Sequence, residues 1–442
     1  MKVLADFRRL TADSRRKPDD WLIQIVLTTL ISEFILRKFA KNLRESARKK
    51  NILFLTLLIV LLLFPAVSIF SQDTVVEKPT RNLSFNGYVK DMQTAYIHNI
   101  DQNWITSNLI HNRLNFKWNI SNSFTFCLEE RNRFFWGELT SISPEYKDFI
   151  SIDNGLVNMS WNIFWGKSYI LNAAIDRVWL DYTRNHFQVT LGRQRINWSQ
   201  TYVWNPNDIF NTYSYFDFDY EEKPGSDAVR LQYFTSPSSK VEIAVKADKD
   251  QKITAAGLVR FNHWRYDFQG LAGIYTQSDL VLGMGWAGQI AKGGFKGEMN
   301  WFQPLKHFGD TSGVFLASVE YDYTFRNSIF IQFEGFYNSN SANATSILLL
   351  QFNPGLLSAK NPFLNGFSIF GNISYPATPL INLSLAGIYN PSNRMVFIIP
   401  TFTFSLMNNL DLSVIAQSFQ SYDPALASFL QTSIFVRLKG SF

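Results

Sequence analysis

From residue 72 onward the chain alternates between apolar and polar positions with a period of two. In 113–120, Leu114, Phe116, Trp118 and Ile120 alternate with Arg113, Asn115, Lys117 and Asn119. In 295–301, Phe295, Gly297, Met299 and Trp301 alternate with Lys296, Glu298 and Asn300. The stretches 241–247 and 318–325 do the same. This is the period of a β-strand with one apolar face. Similar stretches fill 82–97, 123–136, 169–182, 186–198, 394–405 and 428–442, and turn clusters such as SPSSK (236–240), KGG (292–294) and NPSN (390–393) separate them. Several candidates run ten residues or more. Soluble sheets average five or six, whereas a tilted strand needs about 9–11 to cross a bilayer. At about twenty residues per strand and connection, 72–442 accommodates about 16–18 strands.

The chemistry of the two faces points to lipid. A soluble sheet carries polar residues outside, but here one face of many strands is Phe, Leu, Ile and Val. Aromatic residues recur near the strand ends (Trp118, Trp136, Trp198, Trp264, Trp286, Tyr337, Tyr375, Tyr389), as an interfacial girdle requires. Backbone groups in hydrocarbon must all be paired, so a spanning sheet has to close on itself. The expected fold is all-β, a transmembrane antiparallel barrel of 16–18 strands. The final stretch, SFLQTSIFVRLKGSF, keeps Leu430, Ile434, Val436, Leu438 and Phe442 on one parity. It resembles the C-terminal recognition signal of bacterial outer-membrane barrels, which implies the barrel-assembly machinery as a partner.

The N-terminal part reads differently. Arg48, Lys49 and Lys50 precede the apolar run 52–71, which ends in Pro65 and the small residues Ser68 and Ser71. That order is a secretory signal peptide, with a mature chain expected from about Gln72. The domain expectation is therefore an extension at 1–47, attributed to an over-called start, a signal peptide at 48–71 and a barrel at 72–442.

Composition sharpens this picture. The 442 residues include 12 Trp, 18 Tyr and 40 Phe, and only 18% are charged, below the roughly 25% of a soluble domain. The net charge of +6 sits in the first 71 residues, which hold 13 of the 42 basic and 6 of the 36 acidic side chains. The body is near neutral, which argues against nucleic acid as a partner. A single cysteine, Cys127, excludes an intrachain disulfide framework and a cysteine zinc cage. The five histidines show no metal-like spacing, and no nucleophile elbow, zincin or phosphate-loop motif occurs. Neither an enzyme nor a cofactor is expected. GMGWAG (283–288) satisfies the dinucleotide pattern literally, but it lies inside an alternating stretch, where small residues beside bulky neighbours suit a barrel strand.

Charge concentrates between 129 and 226. Glu129, Arg131 and Arg133 share a strand face; Arg177 and Asp181 share parity on another; Arg193 and Arg195 share parity on a third. An Arg facing lipid costs about 2–4 kcal/mol near the midplane, so these side chains belong in the lumen or at a rim. The long connection 199–226 follows, with Asp208, Asp217 and Asp219. Two readings stand. The connection folds into the barrel and sets its carboxylates against a wall of Arg, forming a constriction with a transverse field; or it is an external loop and the lumenal charges neutralise one another.

Residues 191–211, LGRQRINWSQTYVWNPNDIFN, and the following FDFDYEEKPGSDAVRLQYF resemble porin-like outer-membrane barrels, a group that includes alginate-export-like members. The resemblance is strongest over 175–235, and Ser199 stands where related barrels often have Gly. It implies an outer-membrane channel. The expected function is passive diffusion of small hydrophilic solutes through a barrel in Gram-negative outer-membrane lipid. The apolar stretch 346–364 keeps open a non-channel barrel, for envelope assembly or adhesion, or a transporter of hydrophobic substrates. Homo-oligomers are common among porins, but the outward faces show no readable interface in sequence.

Overall fold

The computed structural model describes residues 82–97, 104–213, 215, 217, 219–340, 358–422 and 430–442, all within the compact unit Pro79–Phe442. The expected extension and signal peptide, and residues 346–357 of the apolar stretch, lie outside the described residues.

The strands are β1 (Leu83–Ile97), β2 (Ile105–Asn119), β3 (Phe124–Gly137), β4 (Ser160–Trp165), β5 (Tyr169–Arg184), β6 (Phe187–Gln194), β7 (Ser226–Ser236), β8 (Ser239–Ala247), β9 (Ile253–His263), β10 (Tyr266–Tyr275), β11 (Asp279–Ile290), β12 (Gly293–Pro304), β13 (Val314–Thr324), β14 (Phe330–Asn338), β15 (Gly366–Thr378), β16 (Ile381–Asn390), β17 (Met395–Met407), β18 (Leu410–Ser421) and β19 (Leu430–Ser441). Two single-turn helices, α1 (Glu138–Ile142) and α2 (Tyr146–Ile150), lie between β3 and β4. Every strand except β4 pairs antiparallel with its two neighbours in a continuous ring, so eighteen strands form the wall. The ring closes where β1 meets β19, with Tyr88 opposite Ser441 and Ile97 opposite Thr432. At the edge of this seam, Phe442 N–H donates to Gly87 O and Gly87 N–H to Phe442 O, both at 3.0 Å. Strand β4 pairs with the part of β5 that the short β6 leaves bare.

The connections sort by length. β2–β3, β5–β6, β7–β8, β9–β10, β11–β12, β13–β14, β15–β16 and β17–β18 turn in two to five residues at one rim. The other rim carries 138–168, 195–225 and 339–365. Short turns at one end and long loops at the other are the pattern of outer-membrane barrels.

Alternation divides each strand cleanly. In β8, Val241, Ile243 and Val245 point outward at 40–51% exposure, while Glu242 and Ala244 are fully buried inside. In β11, Leu282 and Met284 are exposed and Val281 is buried. Trp118, Trp264, Tyr337, Tyr375 and Tyr389 lie exposed near strand ends, as a girdle requires. Trp198 does not join them. β6 ends at Gln194, short of the expected strand 186–198, and Trp198 is 1% exposed inside the barrel.

Candidate functional site

The connection 195–225 enters the lumen and touches both sides of it. Its first half docks on the wall formed by β8 to β16. Three inward carboxylates receive it. Glu242 accepts the Trp198 indole N–H at 2.7 Å. Glu298 accepts the backbone N–H groups of Gln200, Thr201 and Asn207 at 2.9–3.1 Å, together with the Thr201 hydroxyl. Glu334 accepts those of Val203 and Trp204 at 2.8 and 2.9 Å. Around these bonds lies a buried apolar cluster. Trp198, Val203, Trp204, Ile209 and Phe210 pack on Leu258, Val281, Phe302, Leu316, Phe336 and Phe370. Trp204 stacks on Phe336 with ring centroids 5.1 Å apart. Phe363, from the connection after β14, reaches the same indole at 5.5 Å, so the described end of the apolar stretch 346–364 also points inward.

Two of the three glycines of GMGWAG, Gly283 and Gly285, belong to this contact. They lie on β11 with no helix after them, as expected of a barrel strand. A β-carbon at Gly283 would stand 2.6 Å from Asn207 Oδ1, and one at Gly285 would stand 3.2 Å from Gln200 Cγ. The motif clears a seat for the inserted loop.

The second half crosses to the wall formed by β19, β1, β2, β3 and β5, and binds it through charge. Asp219 pairs with Lys90 at 2.8 Å and with His111 Nδ1 at 2.8 Å. Glu221 pairs with Lys439 at 2.7 Å and Arg437 at 3.3 Å. Glu222 accepts the Tyr88 hydroxyl at 3.1 Å, and its carbonyl accepts from Arg177. Tyr220 lies under Arg131, whose guanidinium carbon is 4.0 Å from the ring centroid. Burial pushes Asp219 up, but His111 and Lys90 outweigh it and hold this carboxyl well below the usual range.

The candidate residues fall into four settings. Arg131, Arg133, Arg193 and Asp217 line a cavity of about 530 Å³ between the loop, the segment 149–160 and the strand ends at Lys246–Asp250. Glu129 and Arg177 pair at 3.3 Å on the wall. Arg177 also donates to Glu222 O in the loop's second half, to which Asp219 belongs. Arg195 and Asp208 pair at 2.7 Å within the loop itself. Asp181 accepts from Thr183, Gln188 and Thr190 at 2.7–2.8 Å beside the β5–β6 turn. Arg193 is a strut: its guanidinium joins Asp227 at the start of β7 to Asp153 and Val157 O of the segment before β4, each at 2.7 Å.

Lys90, His111, Arg113 and Asp176 were not among the candidates; Arg113 does sit on the polar parity of 113–120, whereas Asp176 was not legible from parity. Asp176 is the extra residue of a β-bulge opposite Glu129 and Glu130. It therefore faces inward beside Arg177, meeting Arg113 at 2.5 Å and Arg131 at 3.1 Å. Glu242, Glu298 and Glu334 did leave a signal, each a lone acid on the inward face of a strand, but their partners lie 44, 91–98 and 130–131 residues away.

The loop itself contributes a lining group that titrates near pH 8. Burial, with Arg195 close by, lowers the Lys223 ammonium to about 8 against the pull of Asp208. The ammonium sits 3.5 Å from the Tyr213 ring centroid, at the edge of the cavity. Among the described residues no grouping of His, Cys, Asp and Glu could hold a metal ion.

No family model and no curated protein sequence matches the chain. Solved structures do match by shape. OccK8 (OprE) of Pseudomonas aeruginosa superposes with a TM-score of 0.52 at 7% identity, over 82% of this chain and 98% of that one. Acinetobacter baumannii OccAB2 gives 0.51 at 10% identity over 82% and 98%. Pseudomonas aeruginosa OccK11 (OpdR) gives 0.50 at 8% identity over 81% and 96%. The fold of this chain is thus the closed eighteen-stranded antiparallel barrel of those structures.

Proposed function

We propose that this protein is an outer-membrane channel for passive diffusion of small hydrophilic solutes. The carrying observation is the cavity beside the inserted loop. It is lined by Arg131, Arg133, Lys223 and Lys246 on the one hand and Asp153, Asp217 and Asp248 on the other. Charges of both signs around an open space create a field across the path, which sorts solutes by charge and size. The apolar half of the lumen is filled by the loop, so the polar half is the route left to a hydrated solute.

In this reading Arg131, Arg133, Asp217 and Lys223 form the constriction. Glu129, Arg177 and Asp219 hold the loop in place, and Arg193 holds the rim. Transport needs no catalytic step. Reconstitution into planar bilayers tests the proposal: discrete conductance steps are expected, with reversal potentials that shift toward cation selectivity in Arg131→Gln combined with Arg133→Gln. Absence of steps from correctly folded barrel would overturn it in favour of a non-channel scaffold.

A further inference from the structure

The outer surface of the barrel is not uniform. From β8 to β17, the outward positions away from the strand ends hold only aliphatic, aromatic, Met, Ala, Gly and Pro side chains among the described residues. Examples are Val241, Ile243, Val259, Met284, Val319, Phe333, Ile373, Leu385 and Phe402, all 40% exposed or more.

On β1, β2 and β3 six outward positions are polar, set among apolar ones such as Val89, Ile110 and Leu114. Inward positions of β1 are fixed by Tyr88 and Lys90, which bind the loop in the lumen. Asp91 and Gln93 therefore point outward. Register carries the same face across the sheet. Gln93 lies opposite Asn108, Val89 opposite Asn112, and Asn112 opposite Asn132. Glu130 lies two residues before Asn132 on the same face. Two carboxylates and four carboxamides thus form one patch. Along β3 it is bracketed by Phe126 and Leu128 on one side and by Phe134 and Trp136 on the other. The bracketing places it within the apolar belt.

Hydrocarbon cannot satisfy such groups, and polar residues in the belt are costly unless protein covers them. Local bonds satisfy only part of the patch. Gln93 donates to Asp91 at 2.9 Å and Asn132 to Glu130 at 3.2 Å. Asn108 and Asn112 donate to Trp136 O and Tyr88 O at 3.2 and 3.3 Å. Each carboxylate keeps an oxygen, and each carboxamide keeps a second N–H and its own oxygen.

We propose that this face is the interface with a second copy of the chain, the patches of the copies converging on a symmetry axis. The patch is complementary to itself. Carboxamide donors of one copy suit the carboxylates and amide oxygens of another, which is what a closed symmetric assembly requires of one surface. Ala95 on β1 and Ala173 on β5 flank the patch and permit close approach.

The test uses the full-length protein in native membranes. Cys127, which points into the barrel, is replaced by Ser, and a single cysteine is placed by Asn112→Cys, Asn132→Cys or, on the apolar face, Val259→Cys. A short bis-maleimide should convert the first two into covalent homo-oligomers several-fold more efficiently than the third. Equal yields at 112 and 259, or adducts only with a different protein, would overturn the proposal. As a second arm, Asp91→Lys combined with Glu130→Lys should release monomers in mild detergent while single-channel steps persist. An unchanged oligomer would count against this face. The cross-linking readout is independent of the channel reading, because cross-links form whether or not the barrel conducts.

Discussion

Two walls of this barrel hold the same loop by opposite chemistry. On β8 to β16 the loop is seated by shape: Trp198, Trp204 and Phe210 fill an apolar lumen face, and three buried carboxylates collect backbone N–H groups. On β19, β1, β2, β3 and β5 it is seated by charge: Lys90, Lys439 and Arg437 take Asp219 and Glu221, and His111 adds a hydrogen bond to Asp219. The first contact fixes where the backbone goes, because N–H donors leave the carboxylates little freedom of geometry. The second neutralises the wall and leaves Arg131 and Arg133 beside the cavity. The loop divides the lumen into a packed half and a polar half.

The largest test of this contrast is Glu298→Ala. It strands three backbone donors in a buried site, at roughly 1–3 kcal/mol for each group left unpaired, while the Thr201 hydroxyl keeps Trp204 O as an acceptor at 2.6 Å. We expect a loss of about 3–6 kcal/mol in unfolding from detergent, with new protease cleavage within 195–225. Intact protease resistance would mean that apolar packing alone seats the loop.

Asp219→Ala removes the main tether of the charged side and leaves the fully buried Lys90 with the residue 219 carbonyl at 2.6 Å and a carboxylate only at 3.8 Å, on Glu221. Breaking one partner of a buried pair costs about 3–5 kcal/mol. Cleavage should now appear near 215–223 rather than near 198–210, and noisier current steps should accompany it. The same tether sets a pH response. A carboxyl held below its unfolded value contributes stability above about pH 4 and loses it as pH falls toward the folded pKa. Loop protection should therefore be flat from pH 7 to about 4 and decline below that; a midpoint near pH 6 would exclude Asp219 as the tether.

On the outside, Ile243→Arg should cost about 2–4 kcal/mol, as for a charge facing lipid near the midplane, measured by urea unfolding in lipid vesicles. A neutral result would show that β8 does not face lipid. The smallest effect is on selectivity alone. Lys223 is charged below about pH 8 and neutral above it, so preference for cations should rise as pH passes 8. Lys223→Met should weaken that titration and leave stability within about 0.5 kcal/mol, as for substitutions outside the packed core.

Strand alternation made the barrel legible, because a side-chain period of two is imposed directly by the pleat. It also placed Glu129, Arg131 and Arg133 on one face. It failed where the backbone departs from the pleat. At Asp176 a bulge turns two consecutive residues inward, and after Gln194 the chain leaves the wall, taking Arg195 and Trp198 with it. Nor could alternation pair Glu298 with Thr201 or Lys90 with Asp219. Those partners are far apart in the chain and meet only once the ring has closed. The outward polar positions of β1 to β3 were hidden for another reason: around Asp91, Asn112 and Glu130 polar residues stand on both faces, so period two loses its contrast there.

The three glutamates under the loop also bear on how conduction could be regulated. A loop that swung out as a gate would uncover Glu242, Glu298 and Glu334 together with the apolar surface around Trp204. Such a hinge would work against several buried bonds and a packed core at once. Control of flow through this barrel is therefore expected from small movements of Arg131, Arg133 and Lys223 at the cavity. For the same reason, widening the pore by excising 195–225 would require resurfacing the opposite wall in the same step.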